Sequence, residues 1–223
     1  MMRRILVFAA HPDDDIIGCG GSLAKHAAQG NQISACYLTS GEAGSKNRPL
    51  GELAKIREQE ARNAAKVLGY HDLTYLRNPD GFLEYSQSNL KSIVELVREK
   101  QPSIVYVHHQ LDGHQDHRTT YQLVLESLGR AALPIFPEYK GTTWSVETVL
   151  AYEVWTPLSD FQYVEDISEF MGQKTTALKK HRSQMRNYRF DEACEGLARY
   201  RGVTTGKGRY CEVFKVIKLS KLP

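Results

Sequence analysis

Ile5-Leu6-Val7-Phe8-Ala9-Ala10-His11-Pro12-Asp13-Asp14-Asp15 sets an apolar run of strand length directly against one imidazole and three carboxylates. Roughly a hundred residues later the arrangement recurs: Ile104-Val105-Tyr106-Val107 leads toward His114-Gln115-Asp116-His117. In an open α/β sheet, ligands bind outside the carboxyl ends of the strands, so two polar motifs that each follow a strand face one crevice. The expected fold is α/β: a Rossmann-like, mostly parallel sheet flanked by helices, with residues 1–223 forming a single domain.

The rest of the chain fits that frame. Strands are expected at 5–8, 33–38, 73–76 and 104–108, with helices at 21–29, 53–68, 87–100 and 118–128 between and after them, the alternation that builds βαβ units. Gly30 and Gly69 mark helix ends. Residues 131–144 carry Pro134, Pro137 and Gly141 and read as an irregular excursion, either a pocket wall or a contact for a homo-oligomer. Later strands are expected at 146–155 and 210–219, and a helix at 167–183.

Composition narrows the function. The 223 residues are 41% hydrophobic with a formal net charge of +3, enough for an ordinary core and without the basic clustering that nucleic acid or a membrane surface requires. No apolar stretch reaches the length of a membrane span, and the short apolar run after Met1-Met2-Arg3-Arg4 is of strand length, so a cytoplasmic protein acting on a small molecule is expected. Cys19, Cys36, Cys194 and Cys211 form no CxxC pair and read as buried, reduced thiols. Gly18-Cys19-Gly20-Gly21 departs from GxGxxG, and the adjacent carboxylates would repel a pyrophosphate.

His11, Asp14 and His117 supply two imidazole nitrogens and one carboxylate, a set suited to zinc that leaves a coordination position open, with ferrous iron or cobalt as other divalent occupants. Asp13 is then free to take a proton from water. His114 offers a donor to a developing oxyanion, and Asp116 is expected to hold that imidazole in tautomer and charge. Asp15 is expected to cap the following helix. His108 and His109 end a strand and fit either the site or a structural role, whereas His26 and His71 are expected to lack partners. Two rival readings remain: a metal-dependent phosphoesterase, disfavoured by the two imidazoles, and a vestigial sugar- or nucleotide-binding protein, which would need neither Asp13 nor His114.

The same residues resemble the LmbE-like, or PIG-L, zinc-dependent de-N-acetylases. The resemblance runs from Ala10-His11-Pro12-Asp13-Asp14 through Thr39-Ser40-Gly41-Glu42, Arg57 with Glu60, and His114-Gln115-Asp116-His117. It continues to His181-Arg182-Ser183-Gln184 and Tyr210 to Phe214. It implies zinc on His11, Asp14 and His117, Asp13 as general base, His114 as electrophile and acid, and Arg57 and Asp80 as contacts to substrate hydroxyls; Asp13, protonated in the first step, is the competing donor to the leaving amine. The implied reaction releases acetate from an N-acetylamino sugar conjugate of the N-acetylglucosamine type. Asp15 stands where the family has Glu, and Gln115 where it has Pro; neither departure removes a ligand or the base.

Overall fold

The computed structural model describes residues 2–45, 48–135, 137–186 and 188–220. Strand β1 (Arg4–Ala9) is followed by α1 (Asp14–Ala28), β2 (Gln32–Thr39), α2 (Leu50–Leu68), β3 (Asp72–Asn78), α3 (Gln87–Lys100), β4 (Ile104–His108) and α4 (Gln115–Ala131). Then come β5 (Thr148–Tyr152), β6 (Tyr163–Asp166), α5 (Met171–Leu178), α6 (Arg182–Met185), α7 (Phe190–Thr205) and β7 (Cys211–Leu219). One sheet has the order β3-β2-β1-β4-β5-β7-β6. Strands β1 to β5 pair in parallel, while β7 runs antiparallel to both β5 and β6. The order reverses between β1 and β4, and the two polar motifs follow those two strands, so they open onto the crevice at the switch point.

Alternation along β1 explains how the sheet is covered on both faces. Leu6 and Phe8 join Val105, Val107 and residues of α3 and α4 in one core, while Ile5, Val7 and Ala9 join Ile33, Ala35, Tyr106 and the α1 residues Cys19 and Leu23 in another. All four cysteines are free and buried, as expected. No described helix is long and apolar enough to cross a membrane. The excursion after α4 is irregular, pinned by the Arg98 guanidinium to the carbonyls of Ala131, Leu133 and Tyr139.

Several elements differ from expectation. Helix α1 begins at Asp14, not Gly21, and breaks at Cys19 (φ −144°, ψ 18°). The break is bridged from outside the helix: Lys174 Nζ donates to Ile17 O (2.9 Å), and Glu212 accepts from the Gly21 and Ser22 amides (2.9 and 2.8 Å) and the Ser22 hydroxyl (2.6 Å). Lys174 and Glu212 pair directly at 2.6 Å, both buried. The glycines serve close packing, since a Cβ at Gly18 would lie 2.2 Å from the Tyr152 ring and one at Gly21 would lie 2.6 Å from Ile167. Removing one partner of a buried ion pair strands the other charge. Glu212→Ala is therefore expected to destabilise the protein by about 3–5 kcal/mol in urea unfolding, and a loss under about 1 kcal/mol would show that water replaces the carboxylate.

The expected helix at 167–183 is two, α5 and α6, separated around His181. Strand β6 and helix α7 were not expected. The buried face of α7 includes the small residues Cys194, Ala198 and Gly202, spaced four apart, which give almost no hydrophobic periodicity. His26, expected to lack a partner, lies with Nε2 3.0 Å from the Tyr106 hydroxyl. Burial pushes its pKa from the ordinary 6.5 down to about 4. Below pH 6.5 the unfolded chain takes up a proton that the folded site resists, so this residue subtracts stability as pH falls toward about 4. His26→Gln, which does not titrate, should lose less stability than the wild type between about pH 7 and pH 5, by at most about 1.4 kcal/mol per pH unit. Parallel losses in urea melts at the two pH values would contradict this.

Candidate metal centre and active site

The His11-Pro12-Asp13 turn carries the chain from β1 into α1. Asp13 sits there at φ 126°, ψ −26°, a backbone conformation that L-residues adopt only when their surroundings enforce it. Arg57, reaching from α2, provides that enforcement. Its Nη2 donates to Pro12 O (2.8 Å) and Asp13 Oδ1 (3.1 Å), and its Nη1 donates to Gly41 O (2.9 Å). Gly41 (φ +66°) must be glycine, because a Cβ there would lie 2.4 Å from the guanidinium carbon. This accounts for a glycine in Thr39-Ser40-Gly41-Glu42.

Three donor atoms converge at the switch point. His11 Nδ1 lies 3.1 Å from Asp14 Oδ2, His117 Nε2 lies 3.3 Å from the same oxygen, and the two nitrogens are 3.3 Å apart. Ligands at 2.0–2.1 Å from a tetrahedral zinc stand about 3.3 Å from one another, so the triangle fits such an ion. The other nitrogen of each imidazole faces a carboxylate: His11 Nε2 lies 3.0 Å from Asp80 and 3.3 Å from Asp116, and His117 Nδ1 lies 3.0 Å from Asp112. With a metal bound, carboxylates beside the outer nitrogens would favour the tautomers whose His11 Nδ1 and His117 Nε2 lone pairs serve as ligands. Burial alone would lower the His11 pKa, but the Asp14 charge and the bonds to Asp116, Asp14 and Asp80 raise it well above its usual value. Burial likewise works to raise Asp14, and the charges of His117 and His11 overcome it, holding the carboxyl well below its usual range.

His108 also approaches Asp14 (3.4 Å) and stacks on His117 with ring centroids 3.9 Å apart. Its Nε2 accepts from the Ala10 amide at 3.0 Å, which occupies the lone pair a metal would need, and burial pushes its pKa down to about 3. It positions the end of β1. His109 is tied to Thr156 O and the Leu111 amide.

Two expectations require correction. Asp116 does not hold His114 by its carboxylate, which accepts from the Gly81 and Leu83 amides (2.7 and 3.2 Å) and faces His11. It is the Asp116 backbone N–H that donates to His114 Nδ1 (3.2 Å), making His114 the side-chain cap of α4 and leaving Nε2 to carry the proton. Burial, followed by the charges of His11 and His117, lowers the His114 pKa, so His114 is neutral near pH 7. Asp15, in turn, caps no amide. Its Oδ2 accepts from the hydroxyls of Tyr70 (2.7 Å) and Tyr37 (3.2 Å), and burial raises its pKa to about 6.

Asp13 is buried, and that burial, opposed by Arg57 and reinforced by Asp14, raises its pKa to about 7. Arg57 and Asp80 line the cavity but are engaged inside the protein, Asp80 also accepting from the Ala43 amide at 2.8 Å. The sequence reading missed Asp112. Beside its ion pair with His117, it accepts from the His114 amide (2.9 Å) and from the Trp155 amide (3.0 Å). A carboxylate two residues before His114 was the available signal. His11, Asp13, Asp14, Arg57, Asp80 and His114 open onto one cavity of about 640 Å³, which Trp155, Gln184, Tyr188 and Phe190 also line. No described residue of the 131–144 excursion lines it.

A family model described as PIG-L: GlcNAc-PI de-N-acetylase matches residues 6–128. The chain belongs to this family. Diacetylchitobiose deacetylase of Thermococcus kodakarensis is 31% identical over 192 residues, covering 82% of this chain and 70% of that protein. The structure of N,N'-diacetylchitobiose deacetylase from Pyrococcus horikoshii superposes with a TM-score of 0.87 at 27% identity, covering 96% of this chain and 84% of that one. GalB, the 4-carboxy-2-hydroxymuconate hydratase of Pseudomonas putida KT2440, superposes with a TM-score of 0.86 at 23% identity over 100% of this chain and 99% of its own. That last likeness shows the fold alone, and a fold hosts more than one chemistry, so the function rests on the site.

Proposed function

We propose that this protein is a zinc-dependent de-N-acetylase that hydrolyses the acetamide of an N-acetylglucosamine-type saccharide to acetate and a free amine. The observation that carries this reading is the triangle of His11 Nδ1, Asp14 Oδ2 and His117 Nε2, with Asp13 and His114 on the same cavity. Ferrous iron or cobalt would suit the same donors. The names of the relatives support the acetamido-sugar substrate, and four unpaired cysteines support a reducing, cytoplasmic setting.

A divalent cation on the three donors would acidify a water and polarise the acetamide carbonyl. The remaining work falls to side chains. Asp13, with a pKa near 7, accepts a proton from the attacking water as its oxygen bonds to the carbonyl carbon. His114 donates its Nε2 hydrogen to the oxyanion, and it does so as a neutral donor, with the Asp116 amide fixing the tautomer. As the C–N bond breaks, Asp13 returns its proton to the departing amine. Asp80 and Asp112 hold His11 and His117, and Arg57 holds Asp13 in its strained conformation.

Purified protein is expected to release acetate from N,N'-diacetylchitobiose and to stop when a chelator removes the metal. Metal-loaded protein that hydrolyses phosphate esters but no acetamide across a panel of N-acetylamino sugars would refute the proposal.

A further inference from the structure

Three aromatic side chains stand at one wall of the cavity. Trp155 is 50% exposed and Tyr188 61% exposed, and both contact Phe190: Trp155 edge-to-face at 5.4 Å between centroids, Tyr188 stacked at 5.4 Å. Large apolar rings left this open on a folded protein, contiguous and sharing a cavity with buried carboxylates, mark a contact surface. The platform is also tied to the catalytic geometry. Asp112 accepts from the Trp155 amide at 3.0 Å while its other oxygen holds His117 Nδ1 at 3.0 Å. The indole backbone and the ligand imidazole therefore share one anchor.

We propose that Trp155, Tyr188 and Phe190 form the subsite for the group attached to the acetamido sugar, and that this group is a second, uncharged pyranose. The inference rests on the de-N-acetylase reading and adds to it the chemistry of the aglycone. A cavity of about 640 Å³ falls in the range that encloses a ligand larger than one sugar ring. Pyranose rings expose C–H bonds with partial positive charge on their faces, which match the negative faces of aromatic rings. The engagement of the lining cation selects against a phosphorylated aglycone. Among the described lining residues Arg57 is the one Arg or Lys, its Nη atoms are taken by Pro12, Gly41 and Asp13, and its charge is shared with the carboxylates of Asp13 and Asp80. A phosphate on the attached group would find no free guanidinium fork among these residues.

The sequence contains two tryptophans, and Trp144 lies apart, its indole N–H donating to Pro102 O at 2.7 Å. Trp155 emission thus reports occupancy without turnover. Titration of the full-length protein with N,N'-diacetylchitobiose is expected to shift or quench a signal that Trp155→Phe removes, and N-acetylglucosamine 1-phosphate is expected to require at least roughly tenfold more ligand. In turnover, Trp155→Ala should lower the ratio of kcat/KM for the disaccharide over that for N-acetylglucosamine by roughly threefold to tenfold, mainly through KM, with Trp155→Phe restoring most of it. No change in Trp155 emission at disaccharide concentrations that saturate turnover would overturn the subsite, as would a preference for the 1-phosphate or an unchanged ratio in Trp155→Ala. A Trp155 response to the disaccharide in metal-loaded protein that releases no acetate would keep the subsite and sink the de-N-acetylase reading instead.

Discussion

Asp13→Asn should lower kcat for acetate release by about 10² to 10⁴, the range for losing a positioned base, while metal content and folding remain as in the wild type. Asparagine is the informative replacement because it tolerates positive φ, the conformation the turn imposes, and can still accept from Arg57. Alanine would add backbone strain and blur the result. The pH dependence supplies the sign. Burial raises the Asp13 pKa to about 7, and the carboxylate must be ionised to accept a proton, so the wild-type rate should fall as pH drops through that region. The residual rate of Asp13→Asn should lack this acidic limb. An Asn variant that keeps more than about a tenth of the rate, or that loses its metal, would move Asp13 out of the role of base.

What the sequence disclosed and what it hid follow from the range of the interactions involved. The strand ends at Ala9 and His108 are local facts of hydrophobic pattern, and the switch-point rule then brings the motifs that follow them together across more than a hundred residues of chain. That much was legible, including the convergence of His11, Asp14 and His117. The partners of the carboxylates were not. Asp15 binds Tyr37 and Tyr70, Asp80 binds His11, and Asp112 binds His117 and the Trp155 amide, all contacts that exist only after the sheet has formed. For Asp116 and His114 the error was one of direction: two residues apart at the start of a helix, they meet through a backbone amide instead of through side chains. Helix α7 escaped for a different reason, because its buried residues Asp191, Cys194, Ala198, Arg201 and Gly202 include two charges and no large apolar side chain.

The ligand assignment makes the sharpest demand on experiment, because the same residues admit more than one triangle. His11, Asp14 and His117 stand within 3.3 Å of one another, but Asp14, His108 and His117 also form a compact cluster, as do His11, His114 and His117. Lone-pair occupancy separates them. His108 Nε2 already accepts from the Ala10 amide, and His114 Nδ1 from the Asp116 amide, whereas His11 Nδ1 and His117 Nε2 face Asp14 with their outer nitrogens held by carboxylates. Wild-type protein is therefore expected to retain about one zinc per chain after gel filtration. His11→Ala, Asp14→Ala and His117→Ala should each lose nearly all of it, and Asp13→Asn should keep it. Asp80→Asn and Asp112→Asn should bind roughly 10- to 100-fold more weakly, since they only orient the imidazoles. Cobalt-loaded protein should show the visible absorption of a four-coordinate site, lost in the three ligand variants and retained in His108→Asn. If His108→Asn loses the metal while His11→Ala keeps it, the ion belongs to the neighbouring triangle, and His11 becomes a hydrogen-bonding partner of Asp14, Asp80 and Asp116 alone.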